Sequence, residues 1–132
     1  MIAITVGLHT ANLANKVLDH LRGGTAWTQP GGLYVKLHTG DPGSAGTSNA
    51  SAVTTRSQAT FTAAASGAIA LTGTNPSWSM TGTETISHVS VWDASTSGNF
   101  QWSAALTASK SVVNGDTLTL TSLPLSLAPL AA

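Results

Sequence analysis

The hydrophobic period of this chain changes once, and that change limits the folds open to it. From Thr10 to Arg22, Leu13, Val17 and Leu21 recur at every fourth position with Ala14 and Leu18 beside them. This is the apolar stripe of an amphipathic helix. Thr10 or Asn12 is placed to cap its start, Arg22 suits the dipole of its last turn, and Gly23-Gly24 can adopt the left-handed conformation that ends it. Beyond the glycines the period is two. One helix followed by short alternating runs predicts a mainly β chain: an antiparallel β-sandwich with one N-terminal amphipathic α-helix. No alternation of strands and helices suggests a nucleotide-binding sheet, and no internal repeat is visible.

The runs are separated by turn chemistry. Leu33, Val35 and Leu37 alternate with Tyr34, Lys36 and His38, a strand with one buried face, and Thr39-Gly-Asp-Pro-Gly43 follows as a turn. Residues 43–51 form a small-polar loop. Val53 to Thr62 reads as a Thr-rich strand with Arg56 pointing out, Gly67 to Thr72 as a short strand, and Trp78 and Met80 alternate with Ser77 and Ser79 after the Asn75-Pro76 turn. Ile86 to Trp92 carries Ile86, His88, Ser90 and Trp92 on one face, with Ser87, Val89 and Val91 on the other. Across an Asp93–Asn99 turn, Phe100, Trp102, Ala104 and Leu106 share a face, so the two runs predict a hairpin. Asn114-Gly115, before the alternating Thr117 to Thr121, is the strongest short hairpin signal. Leu123 to Leu130 alternates too, but Pro124 and Pro129 cannot donate to a ladder, which assigns it to a sheet edge or an extended arm.

The whole of 1–132 reads as a single domain: an N-terminal arm or strand at 1–9, the helix at 10–22, and an edge strand or arm at 123–132. Charged residues make up 8% of the chain, five basic against five acidic, giving a formal net charge of zero. That balance argues against nucleic acid or an anionic membrane as partner, because both attract a clustered basic surface. Low charge also keeps a free monomer poorly in solution, which points to work inside an assembly. Met1 to Leu8 has no cationic lead and its apolar run is broken by Thr5 and Gly7, so manufacture without Sec-type export is expected. No run approaches the roughly 20 apolar residues of a membrane helix.

Candidate chemistry is sparse. There is no cysteine, and His9, His20, His38 and His88 are dispersed without a ligand spacing, so neither a metal nor a cofactor is expected. Asp19 and His20 are adjacent on the helix and diverge; His38 and Asp41 flank a turn, where a local hydrogen bond is the ordinary outcome. His88 reads as a satisfied core or interface histidine and Asp93 as an Asx-turn former. No serine sits in a G-x-S-x-G elbow, no P-loop is present, and one Glu with four Asp is thin material for a carboxylate pair. No catalytic residue is expected. Trp92 and Trp102 read as core, whereas Trp27, in the loop beside Gly24 and Pro30, is the tryptophan placed for an interface. Leu123, Leu125, Leu127 and Leu130 in the closing segment are the other interface candidates, through strand addition to a neighbour.

Several of these segments occur together in one family. Ala14-Asn-Lys-Val-Leu-Asp-His20, then Leu33-Tyr-Val-Lys-Leu-His and Thr39-Gly-Asp-Pro-Gly, resemble the start of small tailed-bacteriophage virion structural proteins. Many of these are described as tail-fibre or minor structural proteins, especially in phages of actinobacteria. Ile86-Ser-His-Val-Ser-Val-Trp-Asp-Ala94, Gly98-Asn-Phe-Gln-Trp102, Ala105-Leu-Thr-Ala-Ser-Lys110 and Asn114-Gly-Asp-Thr117 keep the family's order, and the likeness runs from about Leu13 to Leu127. Leu123–Leu130 departs from the family's more polar closing strand. The resemblance implies a non-enzymatic virion protein, assembled in the host cytoplasm. Its partners would be a major capsid protein or tail proteins, and copies of itself in a homo-oligomer, with a trimer among the options. Decoration of the capsid is the leading expectation. A tail-fibre or baseplate component recognising host glycans is the alternative, and a small cell-wall hydrolase is the third.

Overall fold

The computed structural model describes residues 6–127. Among these residues, nine strands and one helical segment form an antiparallel β-sandwich with a short N-terminal helix. The principal layer is a five-stranded sheet of β1 (Leu33–His38), β2 (Ser57–Phe61), β4 (Leu71–Thr72), β6 (Glu84–Trp92) and β7 (Phe100–Val112), in the order β4-β2-β1-β6-β7. Two ribbons complete the fold: β5 (Ser77–Ser79) with β8 (Thr117–Thr119), and β3 (Ala68–Ile69) with β9 (Leu125–Ser126). The β5–β8 ribbon lays Trp78 and Leu118 against Val35, Leu37, Val89 and Val91 of the large sheet, with Met80, Val53 and Leu123 closing the core.

The helix begins differently from its sequence signal. His9, not Thr10 or Asn12, is the cap: its Nδ1 accepts the Asn12 N–H at 3.0 Å. His9 is itself anchored to β7, donating to Gln101 O at 2.7 Å and setting its ring edge-on to Phe100. Thr10–Ala14 is wound as a π-helical turn, and Asn15–Leu21 continues as α1. The stop is as expected, at Gly23 with φ +75°. The stripe at 13, 17 and 21 does not stay on one side. A spacing of four overshoots the helical turn by about 40° each time. Leu13 is buried and Val17 packs on the core, while Leu18 and Leu21 are 60% and 80% exposed.

Two bulges redistribute the strand faces. One interrupts the β6–β7 ladder between Ile86 and His88, returning Ile86 to the core face with Val89 and Val91 rather than the His88–Trp92 face. The other lies between Val91 and Trp92, where Gln101 is the extra residue opposite; Trp102 therefore joins the core while Phe100 packs with Trp92 on the other face.

The Asn114-Gly115 turn forms, with Asp116 N donating to Val113 O, but it does not make a hairpin of β7 and β8. Gly115 N donates to Met80 O and Met80 N donates to Asp116 O, so the chain is captured by the segment after β5, and β8 pairs there. The 67–72 segment is divided in the same way between two partners: Ala68–Ile69 pairs with β9, Leu71–Thr72 with β2. The 53–62 run is strand only from Ser57 to Phe61.

Candidate interaction surface

Face two of the large sheet, opposite the β5–β8 ribbon, is covered at one end by the loop after β1. Asp41 Oδ1 accepts the Gly43 N–H at 2.8 Å, an Asx turn, and Asn49 Nδ2 donates back to Asp41 O. Gly46 lies against the Phe100 ring so closely that a Cβ would stand 2.6 Å from it, and its φ is +72°; the position admits only glycine. Beneath this loop His38 and Ser90 are wholly buried. His38 Nδ1 stands 2.8 Å from Ser48 O, its Nε2 2.7 Å from Ser90 Oγ, and Trp92 Nε1 donates to the same Oγ at 2.8 Å. A carbonyl can only accept, so Nδ1 carries the proton; Nε2 of the neutral ring then accepts from the Ser90 hydroxyl. Burial holds the His38 pKa below the ordinary histidine value, opposed by the Ser48 carbonyl and reinforced by Lys36 and His88.

A serine hydroxyl on a histidine whose other nitrogen is oriented by an acceptor is the geometry of an activated nucleophile. Here it is sealed. Neither residue reaches solvent, and the Trp92 indole occupies the hydroxyl oxygen. The other serine–histidine contact, Ser87 Oγ to His88 Nδ1 at 2.8 Å, joins neighbours in sequence. Among the described residues no group of three metal-ligating side chains assembles.

The same network braces an open cleft at the next edge. Arg56 does not point out: its guanidinium sits 4.0 Å over the Trp92 ring, and Nη1 donates to Ala94 O and Ser97 O. Asp93 ties the other side of that loop, accepting from Asn99 N at 2.6 Å, Asn99 Nδ2 at 2.9 Å and Gln101 Nε2 at 3.4 Å. The 93–99 turn is thus held by a cation on one flank and a carboxylate on the other. Facing it are Asn12 and Lys16 of the helical segment and the 25–31 loop with Trp27, enclosing a polar cleft of about 570 Å³. Trp27 rests partly on the core, and is half-buried where Trp78, Trp92 and Trp102 are buried.

A second opening, about 510 Å³ and more apolar, runs between β7 and the 118–124 segment because β8 has left β7 for β5. The closing segment serves the chain's own fold there: Leu123 is a buried core residue, and Leu125 is half-buried on the β3–β9 ribbon. Leu127 is 57% exposed, and Leu130 lies outside the described residues. The 1–9 segment is described from Val6 on; Leu8 bridges Trp102 and Ser103 N donates to Gly7 O. Sequence reasoning put Trp27 at a surface site but missed Asp93, Asn99 and Gln101 as its neighbours. An Asx turn is visible in sequence; the loop it will face is not.

Residues 8–128 match the family model described as podophage GP4 fiber I protein gp80. The chain belongs to this family. The match spans the helix, every strand and the cleft, so the sealed serine–histidine pair and the braced 93–99 loop belong to a phage fibre-type structural protein. Among curated proteins, none matches the chain.

Proposed function

We propose that this fiber I family chain is a non-catalytic component of the phage fibre apparatus, carried in the virion after assembly in the host cytoplasm. It joins tail proteins and further copies of itself, a trimer among the options, through its surface. The observation that carries this reading is the family match along residues 8–128. The inaccessible Ser90–His38 pair supports the absence of catalysis, and exposed Leu18, Leu21 and Leu127 offer apolar contact to neighbours. Capsid decoration remains the competing placement. Counting the protein in purified particles by quantitative mass spectrometry, with gold-labelled antibody imaging, separates the two. A handful of copies at the tail is expected; hundreds of copies over the head would overturn the fibre assignment in favour of decoration.

A second reading, recognition of host-surface glycans, is favoured by one observation: the half-buried Trp27 lies in a polar cleft and not on a bare loop.

A further inference from the structure

The chemistry of the Trp27 cleft narrows what it can hold. Gln101 is only 3% exposed. Both hydrogens of its amide nitrogen are used, on Asp93 Oδ2 and on Asn99 O, and its carbonyl oxygen accepts no hydrogen bond among the described residues. Asn99 is exposed; its Nδ2 donates to Asp93, and its side-chain carbonyl accepts nothing among the described residues. Both carbonyl oxygens keep acceptor capacity, so this wall favours a ligand that brings hydroxyl or amide hydrogens. The Trp27 indole forms another wall and favours a flat apolar face. The Asp93 carboxylate is engaged by three donors, and Lys16 at the rim supplies one cation, so the cleft presents no surplus of either sign.

Hydroxyl donors around an apolar ring face, without charge, describe a pyranose. The geometry points to a binding site for a neutral saccharide, its ring stacked on Trp27 and its hydroxyls donating to the carbonyl oxygens of Gln101 and Asn99. Arg56 is a positioning residue for this site: it lies behind the cleft and fixes the 93–99 turn through Ala94 O and Ser97 O. The cleft volume of about 570 Å³ falls within the usual range of roughly 300–1,000 Å³ for small-ligand sites. This inference rests on the glycan-recognition reading and gives it a place and a ligand class.

The test is an amide-resolved NMR titration of the full chain with D-glucose, D-galactose, N-acetyl-D-glucosamine and, as the charged probe, D-glucuronate. At least one neutral sugar is expected to shift the Trp27 indole and the Asn99 and Gln101 side-chain signals, with glucuronate weaker. Trp27→Ala should weaken that binding about tenfold or more, since a stacking contact of roughly 1.4 kcal/mol is worth a factor of ten. Arg56→Gln should broaden the 93–99 signals and weaken binding while the fold is retained. Shifts mapping to another surface, preference for glucuronate, or no shift with any probe would overturn the assignment. If no probe shifts the cleft while the purified protein still binds host envelopes, glycan recognition stands and this site falls. If the neutral sugars bind here but envelopes are ignored, the site stands and the recognition reading falls.

Discussion

The two halves of β7 are one continuous strand with opposite fates. Phe100–Ser103 is buried at every position, side chains of both faces included, whereas residues 105 and 107–111 are exposed. The first half is covered on the core face by the sandwich and on the other by the 41–49 loop, His9 and Trp92. The second lies at the sheet edge, and its ladder to β6 slips between His88↔Ala105 and Ile86↔Lys110. Alternation in sequence therefore reports burial only where one face is wet. Where both faces are covered polar groups go inside as well, and most are bonded, Ser90 to His38 and Trp92 and Gln101 to Asp93; the Trp102 indole N–H is the one buried side-chain group among the described residues without a partner.

Three experiments bear on that contrast. The largest effect is expected from Trp92→Ala, which removes a buried ring, leaves Ser90 without a donor and strips the surface on which Arg56 rests. A loss of roughly 3–5 kcal/mol in chemical denaturation is expected, and a loss under about 1 kcal/mol would show that the buried half is not the rigid one. Acidification comes next. Because burial lowers the His38 pKa in the folded state, the unfolded chain takes up that proton first as pH falls. The contribution is complete above the ordinary histidine value of about 6.5 and is lost as pH drops below it. Melting temperature should fall between about pH 7 and about pH 5, with the His38 ring titrating by NMR below the range of an exposed histidine. A flat profile together with an ordinary His38 titration would refute the sealed network. The smallest effect belongs to the open half: Ser109→Lys should change stability by no more than about 0.5 kcal/mol, and a larger loss would mean that the exposed edge is covered in the isolated protein.

Legibility followed the range of the interactions involved. The Gly23 stop, β1 and the 86–102 hairpin with its Asp93 turn all depend on neighbours a few residues away, and all are found. The Asn114-Gly115 turn shows the limit: its local chemistry was readable and the turn exists, yet the strand beyond it pairs elsewhere because Met80 offers backbone partners from another layer. Arg56 was invisible for the same reason, since its partners, Trp92, Ala94 and Ser97, are about 40 residues away. For the cleft, sequence singled out Trp27 alone.

By itself, then, the amino-acid order determined the class of fold, the single helix and its stop, and most of the strands. Those follow from side-chain period and from the backbone freedom of glycine, proline and asparagine, which act over one turn or one pleat. Tertiary structure alone decided which strands pair, where two bulges exchange the faces of Ile86 and Phe100, and which loops meet to form the cleft. Register and loop encounter depend on hydrogen-bond partners and covering surface from distant parts of the chain, and no local pattern carries that information.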